Sequence, residues 1–291
     1  MSGPVSTITR RALLNPRVLA GLAMLAVLFL CAALAPWLAP NDPNRQDLIM
    51  MLLPPAWDAA GDPAYPLGTD GLGRCILSRL IYGTRIALYV AVAAASGAMV
   101  LGTIIALVAG YMGGWVDWLV GRLVDTWMSF PPVILALILL VGLGAGVEKV
   151  ILAIIVVDWT RFARVIRSEV LVIRRRDYVA AARLAGVSHF RVVVREVFPG
   201  VLPLLITLFS LEMGIAVIVE ATMSFVGLSV GANTVAWGVM ISDARQYMNQ
   251  NPWGVVLPIL GIFVTVLSFN LLGDGLRRAL DPRLQRRSVT Q

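Results

Sequence analysis

Long apolar runs constrain this chain more than any other feature of its sequence. A helix of about 20 apolar residues crosses the hydrocarbon core of a bilayer. Five runs approach or exceed that length, and a sixth, shorter run becomes amphipathic after Asp158 and is expected to continue out of the membrane. The pattern therefore predicts an all-α, polytopic membrane protein with about six transmembrane helices, at residues 18–38, 86–111, 133–143 with the preceding turn, 150–157, 202–220 and 255–272.

The composition agrees with a membrane location. Of the 291 residues, 58% are hydrophobic and only 14% are charged, whereas soluble domains carry about 25% charged residues. The surplus of apolar side chains is therefore expected to face lipid. The first run is longer than the apolar core of a signal peptide and lacks a small-residue cleavage site, so we expect it to be a retained span.

Arginine placement predicts the orientation. With six spans, the segments on one side hold 18 basic residues and those on the other side hold six. Since basic residues concentrate in cytoplasmic loops, both termini are expected to be cytoplasmic. The predicted divisions are a cytoplasmic segment 1–17, a first span 18–39, an exterior loop 40–85 that ends in a short interfacial helix, a transmembrane core 86–276 and a cytoplasmic tail 277–291.

The polar stretch 177–199 has the pattern of a helix-turn-helix. Strong helix formers occupy 178–185, and Gly186 is predicted to end that helix. Ser188 is predicted to cap a second helix, and Pro199 and Pro203 to mark entry into the fifth span. From spacing alone, this unit is either a structured connector or a contact for a partner, and its position between two spans argues against nucleic-acid binding.

The residues needed for common chemistries are scarce. A single histidine, His189, excludes a multi-histidine metal site or a Ser-His triad built from this chain, and the one lysine, Lys149, is not in a phosphate-binding loop. We expect no metal, no cofactor and no catalytic site, so any ATP hydrolysis belongs to another subunit. Cys75 lies in a polar segment and is expected to be accessible from outside, whereas Cys31 is expected to be a core residue.

Acidic residues within the predicted spans are costly in lipid and call for an explanation. Glu212 and Glu220 lie eight residues apart, about 80° around a helix, so both are candidates to border a translocation path. Hydrogen bonding within the helix bundle is the alternative. Asp158 is expected to pair with Arg161, three residues further on.

The stretch 224–253 mixes glycine, tryptophan, asparagine and methionine. It is predicted either to form a partly re-entrant segment beside the pore mouth or to place Trp237, Tyr247 and Trp253 as interfacial anchors.

An ordered series of short motifs resembles the permease subunits of bacterial ATP-binding-cassette importers, in particular the dipeptide, oligopeptide and nickel branch. Each motif is weak alone, but the series extends over nearly the whole chain. The motifs are Leu67-Gly68-Thr69-Asp70, Gly73-Arg74, residues 78–83, residues 110–114, Asp117, Asp125, Ser129-Phe130-Pro131, residues 224–228, Trp237-Gly238, residues 269–277 and residues 279–282.

The resemblance implies a role for the helix-turn-helix. Importers of this kind use such a segment, here 174–200, to grip their ATPase subunits, and the pattern falls on Ala181, Ala182, Gly186, Val187, Ser188 and His189. Two positions depart from the pattern: Ala180 replaces the usual glutamate, and Phe198-Pro199-Gly200 replaces a Leu-Pro-Asn ending. Gly186 is expected to adopt a positive φ or to lie close against a partner.

The resemblance also implies the assembly. A related, nonidentical permease, two ATPase subunits and an exterior solute-binding protein are the expected partners, in the bacterial inner membrane. Alternating access is the expected mechanism, with a peptide or similar small solute as cargo. The main alternative is an ion-coupled secondary transporter using the membrane acids, and a second is a nontransporting assembly subunit.

Overall fold

A computed structural model describes residues 15–229, 231 and 234–280, and these residues form helices and connecting segments with no β-strand. The fold is all-α, as predicted. The predictions for Arg10, Arg11, the Asp281-Pro282 motif and most of the C-terminal tail lie outside the described residues.

The helices form six long segments and several short ones. A π-helical segment, Val193–Val197, joins α8 to α9, and 3₁₀ turns occur at Leu48–Met50 and Arg245–Tyr247. The α-helices are α1 Pro16–Ala33, α2 Ala35–Leu38, α3 Ile76–Met112, α4 Gly114–Met128, α5 Pro132–Leu143, α6 Val147–Ile173, α7 Asp177–Leu184, α8 His189–Val192, α9 Phe198–Val226, α10 Trp237–Ala244 and α11 Trp253–Leu280.

Four segments of the described chain are long and apolar enough to cross a membrane, and a fifth counts if the bent pair α4–α5 is one span. These are α1, α3, the continuous helix from α8 through α9, and α11. The remaining long helix, α6, has 27 residues, seven of them charged. Its length of about 40 Å matches a span, but its charges require partners inside the protein.

Two predicted boundaries differ from the structure. The interfacial helix expected before residue 86 is not a separate element, because α3 runs without a break from Ile76 to Met112. The predicted third span, 133–143 with the preceding turn, corresponds to α5. An additional helix that was not predicted, α4, meets α5 at 86° around Ser129-Phe130-Pro131, where Pro131 precedes another proline and cannot continue a helix. Sequence periodicity detected the apolar residues but not the bend.

Small residues place α3 at the centre of the bundle. Alanines at 91, 94, 95 and 98 are buried on α3. A side chain at Gly102 would meet the carbonyl oxygen of Trp159 at 2.3 Å, so the α6 backbone lies directly against this glycine. Small residues permit this close approach of membrane helices. The α3–α6 contact is the most extensive helix pair of the described chain, and α9, α11 and α1 complete the bundle.

The segment between α2 and α3 is held to α10 by a cluster of charges. The Arg74 guanidinium donates to Asp70 at 2.7 Å and to Asp243 at 2.8 Å. Arg79 lies beside the same two carboxylates at 3.8 and 3.9 Å, and Asn251 donates to the carbonyl oxygen of Thr69 at 3.0 Å. Residues far apart in sequence thus form one folded unit at this end of the bundle.

Two residues near this unit are more buried than their sequence context predicted. Cys75 caps the start of α3 and is 1% exposed, so the expectation of an accessible thiol is wrong, and Cys31 is half-buried. Trp237 is also buried, and its indole nitrogen donates to the carbonyl oxygen of Leu80 at 3.1 Å. Its interpretation as an interfacial anchor is therefore wrong.

Candidate coupling site

The turn after α7 has the hydrogen bonds of a Schellman motif. The amide of Gly186 donates to Arg183 at 3.0 Å, and that of Val187 donates to Ala182 at 3.2 Å. Gly186 has φ of +77°, the left-handed conformation that glycine adopts without a Cβ penalty. The predicted positive φ is confirmed. Apart from its two chain neighbours, no described residue has an atom within 4 Å of a Cβ built on this glycine, so its conformation, not crowding within the chain, requires glycine.

The second helix begins at the predicted position but without the predicted cap. Ser188 is the N-cap of α8, yet its side chain makes no capping hydrogen bond. The helix then continues through the π segment and α9, forming one helical segment from His189 to Val226. Pro199 and Pro203 are both accommodated inside this continuous segment, where each proline lacks the amide that would donate to the preceding turn.

The predicted coupling residues divide into buried and exposed sets. Val187 and Ala182 are half-buried and pack on a cluster formed by α3, α6, α8 and α9. Ala181, Gly186, Ser188 and His189 are exposed. Within segment 174–200, the two most exposed large apolar side chains are Leu184, at 90%, and Phe190, at 81%. The sequence prediction did not single out these two side chains, although both lie within the stretch that it identified.

Tyr111 and Arg174 anchor the helix-turn-helix to the end of α3. The Tyr111 hydroxyl lies 2.8 Å from Nδ1 of His189, and the guanidinium of Arg183 stacks over the Tyr111 ring at 4.6 Å. Arg174 donates to the carbonyl oxygen of Gly110 at 2.9 Å. The motif at 110–114 contained these partners, but its spacing gave no sign of contacts some 60 to 80 residues away.

Charge pairs connect α6 to its neighbours. On the α4 side, Arg167 binds the Asp117 carboxylate through two nitrogens, at 2.5 and 2.8 Å, and Arg164 binds Asp125 at 2.5 Å. These acids belong to the motifs noted in the sequence. Their pairing explains how a helix with seven charged residues packs within the bundle.

The membrane acids are bonded inside the chain. Arg161 lies 3.5 Å from Asp158, as predicted, and 3.3 Å from Glu212, so it bridges α6 and α9. Glu220 accepts a hydrogen bond from Ser224 at 2.5 Å and one from Ser229 at 3.4 Å. Glu212 and Glu220 are both buried and have different partners. This arrangement matches the alternative of bonding within the bundle, and a transport role for either acid stays a prediction.

The arrangement is suited to contact with a partner and to movement. Among the described residues, no group of three or more His, Cys, Asp or Glu side chains is placed to hold a metal ion. Leu184 and Phe190 are exposed on a helix pair that packs against a buried core. The second helix of this pair, α8, continues without a break into the membrane-length helix α9. Movement of a partner bound here would be transmitted to α9.

Two protein-family models match different regions of the chain. Residues 98–286 match the binding-protein-dependent transport system inner membrane component family. Residues 4–55 match the N-terminal transmembrane domain of oligopeptide transport permease C. The first match includes the helix-turn-helix and every helix from the second half of α3 onward.

Similar proteins include transport permeases with different named solutes. The dipeptide transport system permease protein of Haemophilus influenzae is 38% identical over 93% of this chain and 92% of its own. The nickel transport system permease protein of Escherichia coli is 42% identical over 90% and 93%. The glutathione transport system permease protein of Pectobacterium atrosepticum is 38% identical over 76% and 74%. The chain therefore belongs to the binding-protein-dependent inner-membrane permeases and is a permease subunit of an ATP-binding-cassette importer.

Proposed function

We propose that this permease moves a short peptide or a nickel complex across the bacterial cytoplasmic membrane and couples that movement to ATP hydrolysis through segment 174–200. The observation that carries the proposal is the exposure of Leu184 and Phe190 on a helix pair with a buried core. Exposed apolar groups clustered on an ordered surface mark an interaction site. The continuous helix from His189 to Val226 supplies the mechanical connection to the spans.

The proposed assembly contains a second, related permease, two ATPase subunits and an exterior solute-binding protein. The helix-turn-helix is the site for an ATPase, which closes on ATP and pulls on α8. The second permease is expected to form the other side of the translocation path. Both termini are cytoplasmic in this proposal, on the basis of the excess of arginines in the same segments.

The proposed solute classes come from the similar proteins. A dipeptide permease and a nickel permease share comparable identity with this chain over nearly its whole length. Both cargoes are small and polar. The proposal therefore includes both classes, and the solute-binding protein is the expected source of much of the selectivity.

The ion-coupled alternative depends on unpaired membrane acids. Glu212 instead lies beside Arg161, and Glu220 is bonded to two serines. These contacts supply a structural reason for both carboxylates. An ion-coupled carrier, by contrast, would have no use for the exposed apolar side chains of the helix-turn-helix.

Uptake into proteoliposomes tests the proposal. The permease is reconstituted with its partner subunits, and uptake of labelled dipeptides and of chelated nickel is measured with ATP and the ATPases on the same face of the membrane. We expect uptake of one class that requires both ATP and the solute-binding protein. Uptake driven by a proton gradient without ATP would contradict the proposal and favour the secondary carrier.

A further inference from the structure

A groove of about 700 Å³ lies between the last turns of α3 and the beginning of the helix that enters α9. Ile104, Leu107, Val108 and Met112 form its α3 wall, and the facing helix contributes Val193 and Val194 of the π segment. Phe190, which the proposed function assigns to the ATPase contact, also lines the groove at its rim. The groove extends along about 12 Å of α3, from Ile104 to the end of the helix. A π segment inside a helix is uncommon and is often found at functional sites.

Basic groups occupy one end of the groove. Arg183 and His189 line it, and the described lining contains no acidic side chain. Arg183 stacks on Tyr111 but forms no ion pair with a carboxylate among the described residues. Segment 174–200 holds six arginines against one aspartate and one glutamate, so the potential around this end favours an anion.

The apolar end of the groove is open toward the surroundings of the bundle. Ile104, Val108 and Met112 follow one another at one-turn spacing on α3, and all three are exposed. Since α3 is one of the membrane-length helices, this exposed row is placed where acyl chains can reach it. The groove therefore combines an acyl-chain surface with a cationic end at the termini of membrane helices.

We propose that this groove binds one anionic glycerophospholipid, with an acyl chain along α3 and the headgroup phosphate at Arg183 and His189. Basic residues at helix ends attract anionic headgroups, and an apolar channel with a few polar groups at one end orients such a ligand. Because Tyr111 contacts Arg183 and His189 together, the lipid would contact the same anchor that holds the helix-turn-helix to α3.

Lipid titration monitored by native mass spectrometry tests the inference. The full chain, assembled with its partner subunits, is stripped of lipid in detergent and titrated with phosphatidylglycerol or phosphatidylcholine of identical acyl chains. We expect the wild type to bind one phosphatidylglycerol at least tenfold more tightly than phosphatidylcholine. Arg183→Gln should remove that preference, and Val108→Trp, which fills the groove, should weaken binding of both lipids about tenfold.

Two matched variants control for charge and bulk. Arg191→Gln removes an arginine from the same segment but outside the groove lining, and Ile138→Trp adds the same bulk on the exposed face of α5. Both should bind lipid as the wild type does. Because Arg183 lies in the helix-turn-helix, each complex is first checked for intact assembly, and Val108→Trp tests the groove from α3 alone.

Three results would overturn the inference. The first is equal affinity of the wild type for the two lipids, and the second is an equal loss in the control variants. The third is efficient cross-linking of Val108→Cys to the second permease, because the groove would then be covered by protein. The inference depends on membrane embedding and not on the transported solute, so failure of ATP-driven uptake would leave it standing.

Discussion

At the residue scale, Gly186 shows how a local sequence signal becomes a structural requirement. The turn needs a left-handed residue, and the surroundings leave room for a side chain within this chain. A substitution therefore fails through backbone strain and not through overlap with neighbouring atoms. The orientation of α8 relative to α7 depends on this strain-free turn.

Gly186→Val should weaken ATPase assembly while leaving the permease in the membrane. A left-handed conformation costs a residue other than glycine about 1–2 kcal/mol, and 1.4 kcal/mol is tenfold in affinity. We expect about a tenfold loss of ATPase co-purification per permease. Gly186→Asn should stay near wild type because asparagine tolerates this conformation.

Gly142→Val is the matched control for that series. It adds the same side chain at a glycine where a built Cβ would also meet no atom within 4 Å beyond its chain neighbours and its own helix backbone, but the φ of Gly142 is not in the left-handed region. It should assemble normally. Equal co-purification of the ATPase with Gly186→Val, Gly186→Asn and the wild type would show that Gly186 is not part of the coupling site.

The limits of sequence interpretation are also visible at single residues. Gly186 was predicted because its signal lies within a few neighbours along the chain. Tyr111, Leu184 and Phe190 were not assigned roles, since a contact with a residue 78 positions away, or exposure at the end of a bundle, is set by tertiary packing. Cys75 was assigned to the surface because its neighbours are polar, yet those neighbours bond to one another and bury it.

At the element scale, the segment between α2 and α3 behaves as a folded unit fastened by Arg74. Its guanidinium bridges Asp70 on this segment and Asp243 on α10. Removing one member of a buried charge pair costs about 3–5 kcal/mol. Because the Asp243 side chain is 43% exposed, we expect a value near the lower limit here.

Arg74→Gln should expose the neighbouring Cys75. In a Cys31→Ser background, the wild-type thiol is 1% exposed and should react slowly with a membrane-impermeant maleimide. Loss of the bridge should raise the population of the locally opened segment, and we expect labelling at least tenfold faster. Arg45→Gln removes an exposed arginine of the same segment and should label at the wild-type rate. Unchanged labelling of Arg74→Gln would show that other contacts hold the segment.

Helices were easier to predict than their boundaries and partners. Apolar runs identified α1, α3, α5, α6, α9 and α11, because burial in lipid or in the bundle is repeated along each of these helices. They did not identify α4, Gly114–Met128, whose apolar residues are interrupted by Asp117, Arg122 and Asp125. The continuity of α3 was missed, since its first turns contact the folded segment and α10 and so carry polar residues such as Arg79. The continuation of α6 beyond residue 157 was predicted, but its contacts were not, because the arginines that bind Asp117 and Asp125 look like those of a solvated segment.

At the scale of the whole molecule, the orientation can be measured directly. In a chain with Cys31 and Cys75 replaced by serine, Ala59→Cys should react with an impermeant thiol reagent in intact spheroplasts. Ser188→Cys should react only after the membrane is opened. Both positions are exposed, so access across the membrane decides the outcome. Labelling of Ser188→Cys from outside would reverse the proposed orientation.

The central claim is that Leu184 and Phe190 are the apolar contacts through which this permease holds its ATPase. Full burial of a leucine or phenylalanine side chain contributes about 1.5–3 kcal/mol. The double variant Leu184→Ala/Phe190→Ala should therefore lose about 100-fold or more in ATPase affinity. Both side chains project from the surface of the described chain, so truncation should leave the permease folded.

The most direct test is the affinity of purified permease complexes for the ATPase subunits, measured with the double variant and with Ile138→Ala. The latter truncates an exposed apolar residue on α5, away from the helix-turn-helix. The account predicts loss of ATPase binding and of solute-stimulated ATP hydrolysis in the double variant alone. Wild-type affinity and hydrolysis in the double variant, at normal permease levels, would contradict it.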